Sequence, residues 1–143
     1  MSEDLRLSFR VNDEMVNRFV QLTGDRSSLH TDADFARRSM YRAPVVHGVL
    51  PVLFVGALPL AGPGRSWRHA ALSSRFLRPV LSGEQLELTA TRAHGAESEV
   101  EFRITDERGA TITTGTLRTA SGDVARAASD AEPRGALILD PPE

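Results

Sequence analysis

The chain contains no cysteine. Thiol nucleophiles, thiolate metal sites and disulfides are therefore excluded. Lysine is absent too: all 17 basic residues are arginines, which rules out a Schiff-base lysine mechanism. Charge is nearly balanced, at −2 for pH 7, so composition points to neither nucleic acid nor an anionic membrane. No apolar run is long enough to span a bilayer. The longest, Val49 to Ala61, would reach about 20 Å as a helix against a hydrocarbon core of about 30 Å, and Pro51, Gly56 and Pro59 interrupt it. It reads as a buried helix inside a soluble domain. The first residues, Met1-Ser2-Glu3-Asp4, lack the charged-then-apolar design of a signal peptide, so a cytoplasmic protein is expected. Ser73 and Ser74 lie outside any nucleophile-elbow pattern, and His69 and His94 have no acidic partner at metal-ligand spacing. Neither a metal nor another cofactor is expected.

What is present fits one domain with a real core: 143 residues, 41% hydrophobic and 25% charged. Leu5, Leu7, Phe9 and Val11 alternate with polar residues, the period of a half-buried strand. Asn12 or Asp13 can cap a helix that carries Met15, Phe19 and Leu22, with Val16 and Val20, on its apolar side. Gly24 suits the position that ends such a helix. Thr31 or Asp32 can cap a short helix through Phe35 and Ala36 to Arg38. The apolar helix then runs from His47 or Gly48 to Leu60, and being apolar on all sides it should be wrapped by other structure.

After the loop Ala61–Gly64 come four strand-like segments: Ala71 to Val80, Glu84 to Arg92, Glu99 to Thr105, and Ala110 to Thr119 with Gly115 as a candidate bulge. Ala93-His94-Gly95-Ala96 and Asp106-Glu107-Arg108-Gly109 read as hairpin turns. Residues 1–120 thus form a single domain, and 121–143 read as a loosely ordered tail in which Ala136 to Leu139 could dock. A strand, helices, one apolar helix and an antiparallel meander bury that helix by curling the sheet around it, the α+β hotdog arrangement. Its exposed edges and one open side predict pairing into a dimer.

The chemistry concentrates in Gly24-Asp25-Arg26-Ser27-Ser28-Leu29-His30, expected on a loop past the first helix, and in Pro44-Val45-Val46-His47-Gly48 before the apolar one. A free Asp titrates near ~3.9 and a free His near ~6.5, so around pH 7 Asp25 is an anion and His30 mostly neutral. Around one water such a pair can move protons, and a glycine N–H at a helix start can stabilise a developing oxyanion. Those are the parts needed to add or remove water across an activated double bond. On residues alone, other readings stay open. Asp25 can be a turn residue, His30 a loop histidine bonded to backbone, and Gly48 a glycine that simply opens a helix. His47 reads as structural, through capping or a bond to the loop. Arg65, Arg68, Arg75 and Arg78 form either a solvated basic face or a contact for phosphate groups.

The run Phe19 to Asp32 with Phe35-Ala36, then Pro44 to Leu50, then Arg75-Phe76-Leu77-Arg78-Pro79-Val80-Leu81-Ser82-Gly83-Glu84, resembles the MaoC-like (R)-specific enoyl-CoA hydratase family over roughly residues 5–119. The resemblance implies a hotdog homodimer acting on CoA- or carrier-protein-bound acyl thioesters. Asp25 and His30 fall on the motif's catalytic pair and Gly48 on the oxyanion donor; Ser27, His47, Arg75 and Arg78 are the candidate substrate-binding residues. The family's usual Asp-x-Asn-Pro-x-His reads here Asp-Arg-Ser-Ser-Leu-His, with Ser27 for Asn and Ser28 for Pro. Without proline the loop is less fixed in φ, and a hydroxyl replaces only part of an amide's hydrogen bonding. The activity implied is that of a hydro-lyase on 2-enoyl or 3-hydroxyacyl thioesters. A hotdog thioesterase and a non-catalytic acyl-binding domain are the alternatives.

Overall fold

The structure, a computed structural model, describes residues 4–58, 67–92 and 98–121. Period-two alternation places strand β1 at Leu5–Arg10, β3 at Gln85–Arg92 and β4 at Glu99–Asp106, with Leu86, Leu88, Ala90, Val100, Phe102 and Ile104 all buried. β2 is Trp67–Phe76 and β5 is Thr111–Ser121. All neighbours pair antiparallel in the order β1-β3-β4-β5-β2, so β1 and β2 are the edges. The β4–β5 turn is closed by Asp106, whose Oδ1 accepts the N–H groups of Arg108 and Ala110, with Gly109 at φ 76°.

Local signals also set the helices. Asn12 Oδ1 accepts the Met15 N–H and starts α1, Asp13–Thr23, while Gly24 ends it at φ 74°. Asp32 Oδ1 accepts from Asp34 and Phe35 to start α3, Ala33–Arg38. Between them Ser28–Thr31 makes a single helical turn, α2, where the sequence suggested loop. α1 and the segment after Gly48 pack on one face of the sheet, where Val16, Val20, Leu50, Val52 and Val55 join the strand residues in one core. Leu22 does not: it is 86% exposed, because it sits in the last turn about 90° from the centre of the buried stripe.

The apolar segment departs from expectation. It is not one long helix over the described residues but α4, Val49–Val52, followed by a 3₁₀ helix, Leu53–Ala57. Leu58 is extended, φ −70° and ψ 139°, because a residue preceding proline is driven out of the helical region. Gly56 weakens the last turn further. Nor is the segment wrapped on all sides in the single chain, since Val49 and Leu53 are about half exposed. Among the described residues no helix is long and apolar enough to cross a membrane.

Gly115 is also corrected. The β5 irregularity lies between Ile104 and Thr105, which pair with Thr113 and Thr111 and leave Ile112 as the extra residue. Gly115 instead gives room to its neighbours: a Cβ there would meet the Ser73 carbonyl oxygen at 2.2 Å and the Phe102 ring at 2.3 Å. Arg65, His94, the Ala61–Gly64 loop, the Ala93–Ala96 turn, residues 122–143 and the side chains of Arg68 and His69 lie outside what is described. Ser121 closes β5.

Candidate active site

Once Gly24 has turned the chain out of α1, side chains rebuild the backbone bonding that the helix no longer supplies. The Asp25 N–H donates to Thr23 Oγ1 at 3.2 Å, and Asp25 Oδ1 accepts the Ser27 N–H at 3.2 Å. Ser28 takes the first helical position of α2, where the family's proline would be pre-organised. Here Thr31 secures the turn, its Oγ1 lying 3.1 Å from the Ser27 carbonyl and 3.2 Å from that of Arg26. The Ser27 side chain makes no cap bond; its contribution to the site is the backbone N–H on Asp25.

His30 lies in this turn. Its Nδ1–H donates to the Val45 carbonyl at 2.5 Å, and the Val45 N–H answers with a bond to the Leu29 carbonyl. A carbonyl only accepts, so Nδ1 carries the proton and the neutral ring keeps a free lone pair on Nε2. The Val45 segment is itself anchored, by the Val46 N–H on the Val80 carbonyl at 2.7 Å and a bridge between Val45 and Leu81. The imidazole is therefore held by chain from three separate parts of the sequence.

His47 lies beneath it, only 4% exposed. Its Nε2–H donates to the Asp25 backbone carbonyl at 3.2 Å, with Asp25 Oδ2 at 3.6 Å from the same nitrogen. The ring stacks on His30, with centroids 3.9 Å apart, and meets Phe19 at 4.8 Å on a tilt. Burial, then the neighbouring His30, holds the His47 pKa below the usual imidazole range; the bond to the Asp25 carbonyl and the Asp25 charge pull the other way and do not prevail. His47 is thus a neutral ring near pH 7. Its Nδ1 is buried and has no hydrogen-bond partner among the described residues.

A carboxylate oxygen of Asp25 and one nitrogen from each of His30 and His47 fall within 4.8 Å of one another. That spacing resembles a metal site, but its orientation does not. Stacked imidazoles at 27° direct their in-plane lone pairs side by side, whereas ligands must converge on a shared ion about 2 Å away. The arrangement suits proton movement around a small molecule better than coordination.

Gly48 follows, at φ −56° and ψ −31°, as the N-cap residue of α4. Its N–H makes no hydrogen bond among the described residues. Because α4 is short, any pull on a negative charge there comes from the local N–H groups rather than a long helix dipole. A cleft of about 370 Å³ opens beside it, lined by His30, Tyr41, Gly48, Phe76, Leu77 and Arg78 among others. Asp25, His30, His47 and Gly48 are thus brought together, and Arg78 lies on the cleft. Arg75 does not line it: it pairs with Thr114 along β5, one residue out of phase with Phe76. Sequence reasoning passed over Phe76, whose ring would sit 3.1 Å from a Cβ on Gly48, and Tyr41. Neither shows a periodicity or charge pattern that marks a cleft wall; Phe76 falls in the middle of the strand expected over Ala71 to Val80, and only the structure ends β2 there.

The chain matches the model of the MaoC-like domain over residues 2–116. The (R)-specific enoyl-CoA hydratase of Aeromonas caviae is 32% identical over 120 residues, covering 80% of this chain and 90% of that protein. Among solved structures, the (R)-hydratase from A. caviae involved in PHA biosynthesis superposes with a TM-score of 0.73 at 29% identity, over 82% of this chain and 93% of that one. R-hydratase PhaJ1 from Pseudomonas aeruginosa, unliganded, gives 0.74 at 20% identity, over 86% and 82%, a likeness of fold. The antiparallel sheet is that of the hotdog fold, and the chain belongs to the MaoC-like domain family.

Proposed function

We propose that the protein is a hydro-lyase that adds water to 2-enoyl-CoA thioesters to give (R)-3-hydroxyacyl-CoA, and catalyses the reverse dehydration. The observation that carries this is the approach of the Asp25 carboxylate to the His30 ring, within 4.8 Å, where His30 and Gly48 border one cleft. The similarity to the (R)-specific hydratase of A. caviae supports the substrate class and the product hand.

In hydration, Asp25 accepts a proton from water while His30 Nε2, freed by the bond from Nδ1 to Val45, accepts the water's other hydrogen and fixes its direction. The water oxygen bonds to C3 as the C2–C3 π pair moves toward the carbonyl, and the resulting enolate oxygen takes the Gly48 N–H. The pair then returns the proton to C2. One water is consumed, and the enzyme ends as it began. Arg78, on the cleft, faces the anionic end of the carrier.

The active form is a homodimer in this reading. Support comes from edge strand β2 and the residues after it, where Leu72, Phe76 and Leu77 are each about half exposed, an apolar strip on an unpaired edge. The test is loss of enoyl absorbance with crotonyl-CoA, repeated with an acyl-carrier thioester and followed by chiral analysis of the product. Asp25→Asn and His30→Ala should each lower kcat by ~10²–10⁴. Full activity in both variants, or release of free thiol from saturated acyl-CoA in place of hydration, refutes the assignment.

A further inference from the structure

The least economical residue in the core is His47. It is 4% exposed and packed between the rings of Phe19 and His30, yet it buries a ring nitrogen, Nδ1, that bonds to nothing described. A buried acceptor without a partner destabilises a fold, whereas a phenyl ring would fill similar space with no polar atom to satisfy. Packing therefore does not explain an imidazole here. Its other nitrogen does: Nε2–H reaches the Asp25 backbone carbonyl at 3.2 Å, with Asp25 Oδ2 at 3.6 Å, across 22 residues of chain. The same ring stacks on His30 at 3.9 Å, and the next residue is Gly48. His47 thus reaches both Asp25 and His30.

We propose that His47 is a positioning residue: its edge ties down the Asp25 loop, its face supports His30, and together these contacts set the separation of acid and imidazole. The role rests on the hydratase reading for its consequence in catalysis, though the geometric tie does not. Without the tie, Asp25 itself keeps only the Thr23 and Ser27 bonds among the described residues, both exposed. A misplacement of about 1 Å in a reacting group can cost about 10²-fold in rate, so a loosened loop is read in kcat rather than in substrate binding.

Two variants separate positioning from packing. His47→Phe keeps a ring in the stack and removes the N–H; His47→Gln keeps an N–H of similar reach and removes the ring. Expected for His47→Phe is a melting temperature equal to or above wild type, a kcat about 10²-fold lower and a KM within about threefold. Expected for His47→Gln is recovery to within about tenfold of wild-type kcat. Amide exchange at Asp25 and Ser27 should accelerate about tenfold or more in His47→Phe and stay near wild type in His47→Gln. An active wild type with undiminished kcat in His47→Phe overturns the proposal and leaves the hydratase intact. A kcat that falls only in step with melting temperature also overturns it. A wild type inactive on CoA and carrier thioesters refutes the hydratase instead, and exchange then decides on the tie: faster exchange at those two amides supports it, unchanged exchange removes it.

Discussion

Replacing Gly48 by alanine separates stability from catalysis at this site. The backbone there, φ −56° and ψ −31°, lies in the right-handed helical region, so alanine adopts it without strain and stabilises by up to about 1 kcal/mol through the lower entropy of the unfolded chain. The added Cβ would lie 3.1 Å from Phe76 Cδ1 and 3.2 Å from Cε1, closer than relaxed carbon contacts. The Phe76 ring must withdraw by a few tenths of an ångström, at a cost near the lower end of overpacking, about 1 kcal/mol. The two terms offset, and the melting temperature should stay within about 3 °C of wild type. Activity should not. The methyl group would project toward Phe76 within the cleft that both residues line and crowd a thioester oxygen bound there, and one lost oxyanion donor is worth ~10²–10³ in rate. The expected result is a kcat/KM about 10²-fold down in a normally folded protein. Combining Gly48→Ala with Phe76→Ala removes the ring contact but keeps the methyl, so the rate loss should persist while the strain against the ring is relieved; a cycle of the four proteins separates the two effects. A single variant that keeps kcat/KM within about threefold at unchanged melting temperature refutes the role given to this N–H.

Gly115→Ala should cost about 3 kcal/mol in urea unfolding, since the Ser73 carbonyl at 2.2 Å is backbone in a paired strand and cannot yield; wild-type stability would show that the strands separate more easily than this packing implies. The depressed pKa of His47 sets a pH dependence. The folded ring resists a proton that the unfolded ring accepts, so its contribution to stability is complete above about pH 6.5 and is lost as pH falls through that value. Between pH 7.5 and pH 5.5 wild type should therefore lose stability relative to His47→Phe; a constant difference between the two proteins contradicts a neutral buried imidazole.

Sequence reasoning reached furthest where a bond or a period is local. Asn12, Gly24 and Asp32 mark helix ends because a side-chain oxygen or a left-handed residue acts on backbone only two to four positions away. Leu86, Leu88, Ala90, Val100, Phe102 and Ile104 are core because alternation in a strand is itself the burial pattern. It failed where one apolar stretch could satisfy two geometries: Val49 to Leu60 has the composition of a long helix, yet the described part divides into α4 and a 3₁₀ turn, Leu58 being extended ahead of Pro59. Leu22 has an apolar side chain at a helical spacing, but only the direction of the sheet decides which face of α1 is covered.

The candidate site divides in the same way. The sequence alone determined that an acid and an imidazole stand five positions apart just past the end of α1, in a stretch that Asp25, Ser27 and Thr31 organise through short-range bonds. Only tertiary structure decided that His47 joins them and that Phe76 lies over Gly48. Those contacts link segments far apart in the chain through packing on a shared sheet, and no spacing within either segment encodes which partner the fold will bring.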